Sequence, residues 1–116
     1  MTRQADLRRL QDLATLVRDR DLAQLKRIAE ARAEVEARLE TLRHPAEAPD
    51  LSLVAAAQAR LAWEGWAERQ RRDLNTRLAR LHAEQAEAED RARLSFGRAD
   101  LLDRLGQKLG RIRRPA

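Results

Sequence analysis

The sequence predicts an all-α chain, an antiparallel two-helix coiled-coil hairpin with an extended C-terminal helical segment. Three observations predict it. Pro45 and Pro49 lie four residues apart in the stretch His44-Pro45-Ala46-Glu47-Ala48-Pro49-Asp50. Proline offers no backbone N–H and its ring clashes with the preceding helical turn, so the pair stops a helix. Long tracts on both sides carry leucines at steps of three and four with no strong breaker for dozens of residues. Finally, Ala, Leu, Arg and Glu dominate, with 37% charged and only 3% aromatic residues, the composition of a long helix. One domain then covers 1–116: a helix over 3–43, a hinge over 44–50, a helix over 51–94 and an amphipathic segment over 95–112.

In the first helix, Leu25, Ile28, Val35, Leu39 and Leu42 keep one seam turned toward a partner. Arg32 fills the missing seam position, where its stem packs and its head reaches water. An earlier stripe, Leu7, Leu10, Leu13, Leu16 and Val17, is expected to join this seam through Asp21 with a phase slip, a stutter. The outer face mixes Glu36 and Glu40 with Arg32, Arg38 and Arg43; exposed pairs of this kind add only a few tenths of a kcal/mol.

Either Asp50 or Ser52 can cap the second helix, since both offer an oxygen to its free N–H groups. Its small first turns, Leu53 to Ala59, would let two helices approach closely near the hinge. The seam continues through Trp63, Ala67, Leu74, Leu78, Leu81, Gln85, Ala88 and Ala92. It is weakest from Gln85 to Ala92, because alanine buries little area. Asn75 lies beside it, where a polar group either sets register or faces solvent.

A short hinge pairs the first helix with residues up to about Ala92, which leaves 93–116 without a partner inside the hairpin. That segment holds Phe96, Gly97, Leu101, Leu102, Leu105, Leu109 and Ile112 at amphipathic spacing. Gly97 is either a hinge or tolerated, at about 1 kcal/mol against alanine. The basic end (Lys108, Arg111, Arg113, Arg114) suits a helix C-terminus. The apolar stripe can fold back on the hairpin, bind a partner helix or lie on an anionic membrane; the first two fit better, because Phe96 is its only aromatic.

No catalytic, cofactor or metal residues stand out. There is no cysteine, so disulfides and thiolate chemistry are excluded. His44 and His82 have no ligand pattern around them, and no Gly-rich phosphate loop or substrate-sized core is present, so the chain is read as no enzyme and as binding no small-molecule substrate. No apolar run reaches the roughly 20 residues that span a bilayer. The N-terminus has no apolar core of a signal peptide, and the expected location is the cytoplasm. The net charge of +5 is carried almost wholly by arginine, spread along both helices with acids between, which reads as a solvated surface more than as a nucleic-acid patch.

The candidate partner-binding residues are Trp63, Trp66, Arg69, Arg72, Phe96, Leu101, Leu102, Leu105 and Leu109. Trp63 and Trp66 share one helix face across Gly65. They either fill space around the small seam residues or form a contact patch of the kind where Trp is enriched. Filling is the better account of Trp63; for Trp66 the two are even.

Three stretches carry a family resemblance: Leu7-Arg8-Arg9-Leu10-Gln11-Asp12-Leu13, Arg69-Gln70-Arg71-Arg72-Asp73-Leu74-Asn75, and Ala92-Arg93-Leu94-Ser95-Phe96-Gly97-Arg98-Ala99-Asp100-Leu101-Leu102-Asp103-Arg104-Leu105. With the proline hinge and the basic, leucine-containing end, the chain resembles the FliJ/YscO-type coiled coils of the flagellar and type III secretion export apparatus. The resemblance implies a cytoplasmic stalk that enters the central pore of the export ATPase ring, as the gamma-subunit coiled coil does in rotary ATPases. It also implies contacts with the export-gate protein and export chaperones, and coupling without catalysis by this chain. The alternatives are a generic coiled-coil adaptor or assembly factor, including a self-associated four-helix dimer, and a basic coiled coil on nucleic acid or anionic membrane.

Overall fold

The computed structural model describes residues 2–45 and 50–113, the side chain of residue 113 excepted. The chain is all-α: α1 spans Arg3–Thr41 and α2 spans Leu53–Arg113. The predicted hinge residues 46–49, Pro49 among them, lie outside the described residues.

Both helices start on a side-chain cap. The Thr2 hydroxyl accepts from Ala5 N–H at 3.3 Å, and the Ser52 hydroxyl accepts from Ala55 N–H at 3.2 Å. Of the two candidates for the second cap, Ser52 makes the contact. Asp6 in the first turn of α1 faces the positive end of its dipole. The end of α1 tightens into a turn, with His44 N–H donating to the Thr41 carbonyl at 3.3 Å.

The helices pair in two compact units, one of Met1–Arg27 with Gln85–Ala116 and one of Ile28–Glu84. In the second unit the core is Ile28, Val35 and Leu42 of α1 with Ala67 and Leu81 of α2, Val35 being 1% exposed. Arg32, Leu39, Leu74 and Leu78 are half-buried on the same seam, and Asn75 is exposed. Arg32 lays its stem there while its Nε reaches Glu36 at 3.0 Å. Arg71 Nη2 donates to the Leu42 carbonyl at 3.1 Å, so a guanidinium from α2 satisfies a carbonyl at the negative end of α1.

That contact corrects the expected register. A tight hinge would set Leu42 beside the first turn of α2, but Leu42 lies beside Arg71, about 27 Å further along α2 at 1.5 Å per residue. The first turns of α2 therefore run where α1 has already ended. They do not pack closely against α1: Leu53 is 91% exposed, and Val54 and Leu61 are exposed too. The reason is that prolines stop a helix without setting how far the next one slides.

The same offset overturns the unpartnered tail. In the first unit, Gln11 Nε2 donates to the Leu102 carbonyl at 3.1 Å, and the Arg18 guanidinium lies 5.6 Å from the centre of the Phe96 ring. At Gly106 the backbone approaches α1 so closely that an added Cβ would stand 2.5 Å from Gln11 Nε2. The described part of 93–113 is thus paired with the start of α1, and α2 passes through Gly97 without a break.

The stutter is corrected as well. Going back from Ile28, the seam of α1 runs through Leu25, Asp21, Arg18, Ala14, Gln11 and Leu7, all buried or half-buried, at unbroken steps of three and four. Leu10, Leu13 and Leu16 stand off this seam and are exposed. Opposite the α1 seam, Ala88, Ala92, Ser95 and Ala99 are buried; such small side chains let the two helices close up. The Ser95 hydroxyl donates to the Ala92 carbonyl at 3.1 Å, and buried Asp21 is reached by Arg20 at 3.4 Å. Among the described residues no buried side-chain polar atom lacks a partner.

Candidate functional site

Moving the leucines off the seam creates a surface. In the first unit, Leu10, Leu13 and Val17 of α1 and Arg98, Leu101 and Leu102 of α2 line a groove of about 350 Å³, with Ala14 and Ser95 at its base. Leu13 is 58% exposed and Leu101 is 66% exposed. Helix geometry explains the grouping. Leu10 and Val17 are seven residues apart, so they project from one face beside the seam, and Leu94, Leu101 and Leu105 do the same on α2. In an antiparallel pair, the corresponding flanks of the two helices face the same way. The result is a strip of branched side chains too wide for one helix pair to cover. Single exposed leucines are ordinary on a soluble surface, but a contiguous row is not.

Of the residues singled out from the sequence, Leu101 and Leu102 line this groove, and Leu105 continues its face. Phe96 is half-covered by Arg18 on the opposite flank and takes no part in the groove; at such a site the cation–π contact is worth roughly 0.5–1 kcal/mol. Leu109 is partly exposed beyond the groove's end.

The remaining candidates lie in the other unit. Trp63 is half-buried, whereas Trp66 is 46% exposed and lines a shallow depression of about 230 Å³ with Arg38, Thr41, Leu42, Gln70 and Leu74. Gly65 between them has only Arg69 Nη1 near its missing Cβ, at 3.8 Å. Arg69 is exposed, and Arg72 is exposed with Glu68 at 4.0 Å. Arg71, which was not singled out, is the arginine of that run with a built role, through its bond to Leu42.

Leu10, Leu13, Val17 and Arg98 were missed as site residues. The signal was present: continuing the seam backwards from Leu25 at steps of four and three lands on Asp21, Arg18, Ala14 and Gln11 and leaves Leu10, Leu13 and Leu16 beside it.

Charge is divided unevenly. Residues 1–27 and 85–116 carry fifteen Lys and Arg against nine Asp and Glu, whereas 28–84 carry nine against ten. The whole basic excess belongs to the unit with the leucine groove. About half of the described arginines pair along their own helix, as Arg104 does with Asp100 at 3.1 Å and Arg91 with Glu87 at 3.5 Å. Arg98, inside the groove, pairs with no acidic side chain among the described residues.

No group of three or more His, Asp or Glu among the described residues could hold a metal ion. No helix there is long and apolar enough to cross a membrane. The chain matches no protein-family model, no curated protein and no solved structure.

Proposed function

We propose that the chain is a non-catalytic interaction protein of the cytoplasm, a helical stalk of a flagellar or type III export apparatus that links the export ATPase ring to the export gate and its chaperones. One observation carries the reading. Two of the three stretches that resemble the FliJ/YscO-type family, Leu7–Leu13 and Ala92–Leu105, are those that pair with each other in one unit, where Gln11 reaches Leu102. The coupling would be mechanical, with charged outer faces meeting the ring and the leucine face meeting a second protein.

A generic adaptor that associates with itself is the second reading, favoured by the exposed row of Leu10, Leu13, Leu94 and Leu101. The basic excess of the same unit favours a third, nucleic acid or anionic lipid.

The test is a pull-down with the purified chain from a lysate of its own cells, read by mass spectrometry, beside a Leu101→Glu/Leu105→Glu variant. Truncation after Leu94 is unsuitable, since it would strip Leu7–Arg18 of their partner. Recovery of a hexameric export ATPase or an export-gate protein, reduced by the double variant, is the expected result. Recovery of salt-removable nucleic acid or lipid alone, or of the chain alone, would replace the stalk reading with one of the others.

A further inference from the structure

We propose that the groove between Leu10–Val17 and Leu94–Leu105 docks an acidic amphipathic helix of another protein, which lies along the pair as a third helix. The inference rests on reading the chain as an interaction protein, and not on which apparatus it serves.

Shape selects a helix. The two leucine rows flank a trough between antiparallel helices and repeat at seven and four residues. That spacing accepts the i, i+3, i+4, i+7 anchors of a facing helix. The row from Leu94 to Leu105 is eleven residue steps long, about 16 Å, so three helical turns fill it.

Charge selects the sign of the occupant. Arg98 lines the trough and has no acidic partner among the described residues. Lys108 and Arg111 stand beyond its end, beside Ile112, and likewise pair with no acidic side chain among the described residues. Their unit carries the whole net positive charge of the protein. A carboxylate on the occupant opposite Arg98 would meet it in a partly desolvated site, where a charge-assisted bond is strongest. A second copy of this chain would bring the same Arg98 and the same basic excess, so like charges would face each other. The residues that line the groove also include no aromatic of the sort that anchors a helix pair at a lipid interface.

Two synthetic peptides of about 21 residues test this, with one leucine pattern but flanked by Glu in one and by Lys in the other. Binding to the full chain is measured by fluorescence anisotropy at low and high salt, with helix content of every variant checked by circular dichroism. The Glu peptide is expected to bind about tenfold or more tightly than the Lys peptide, and salt to narrow the gap. Arg98→Glu should invert the preference, and Leu101→Ala and Leu13→Ala should each weaken both peptides. Both leucines are exposed, so neither change should unfold the chain. Equal binding of the two peptides, or indifference to Arg98→Glu, would overturn the proposal. So would a dimer in sedimentation that Leu101→Glu dissolves, which would make a second copy the occupant. Capture by vesicles of one part anionic to three parts neutral lipid, lost in Arg98→Glu while neither peptide binds, would assign the groove to a membrane. Failure to recover an export ATPase from cells leaves the peptide result standing, and the reverse holds too.

Discussion

Gly106 and Gly97 sit nine residues apart on α2, and the same substitution should act on them differently. At Gly97 an added Cβ meets nothing within 4 Å. Alanine there gains the helix-propensity difference, about 0.8–1 kcal/mol. At Gly106 the backbone gain is the same, but the Cβ would stand 2.5 Å from Gln11 Nε2 and 3.6 Å from Gln11 Cδ. The amide must swing away, and it then releases the Leu102 carbonyl that it now reaches at 3.1 Å. Losing such a bond costs about 0.5–1.5 kcal/mol net. The two effects offset, so Gly106→Ala should change stability by less than about 0.5 kcal/mol. In a Gln11→Ala background both the clash and the bond are gone, and Gly106→Ala should recover its full gain. The coupling between the sites is then about 1 kcal/mol. Urea unfolding followed by circular dichroism at 222 nm measures all four corners of this cycle. If Gly106→Ala stabilises the unaltered chain as much as Gly97→Ala does, Gln11 does not lie over Gly106 and the register of this unit is wrong.

Three further changes follow from the same packing. Val35→Ala should destabilise by about 1–3 kcal/mol in urea unfolding, because that side chain is fully buried, whereas Leu101→Ala should stay within about 0.5 kcal/mol. Arg71→Ala should cost about 1–2 kcal/mol through the exposed end of α1, and Arg72→Ala, whose side chain is solvated beside Glu68, should cost less than about 0.5 kcal/mol. Ser52→Ala should lower stability by about 1 kcal/mol with Asp50→Ala near neutral, since Ser52 holds the cap.

The sequence shows where helices stop more clearly than how they slide. Pro45 marked the end of α1, Ser52 was one of two candidate caps, and the seam from Leu25 to Leu42 and from Ala67 to Ala92 was legible because apolar residues occupy it. The first half of α1 was misread for a physical reason. Gln11, Arg18 and Asp21 hold seam positions there while Leu10 and Leu13 stand beside them, so following hydrophobicity leads off the seam. The offset of α2 was hidden because it depends on contacts such as Arg71 with Leu42 and Gln11 with Leu102, which no periodicity reports. Leu101 and Leu105 could be found as half of the groove from their own stripe. Its other half became visible only once the leucines of α1 were known to be exposed.

Everything functional rests on one register, in which the start of α1 pairs with the end of α2. The chain has no cysteine, so pairs can be introduced cleanly. The contacts of Gln11 with Leu102 and of Arg18 with Phe96 bracket Ala14 and Ala99 in one layer. A Ala14→Cys/Ala99→Cys chain should form a disulfide within one molecule under mild oxidation, and Ala14→Cys/Arg80→Cys, the pair a tight hinge would bring together, should not. Cross-linking of 14 with 80 and not with 99 would contradict the register, and with it the leucine groove.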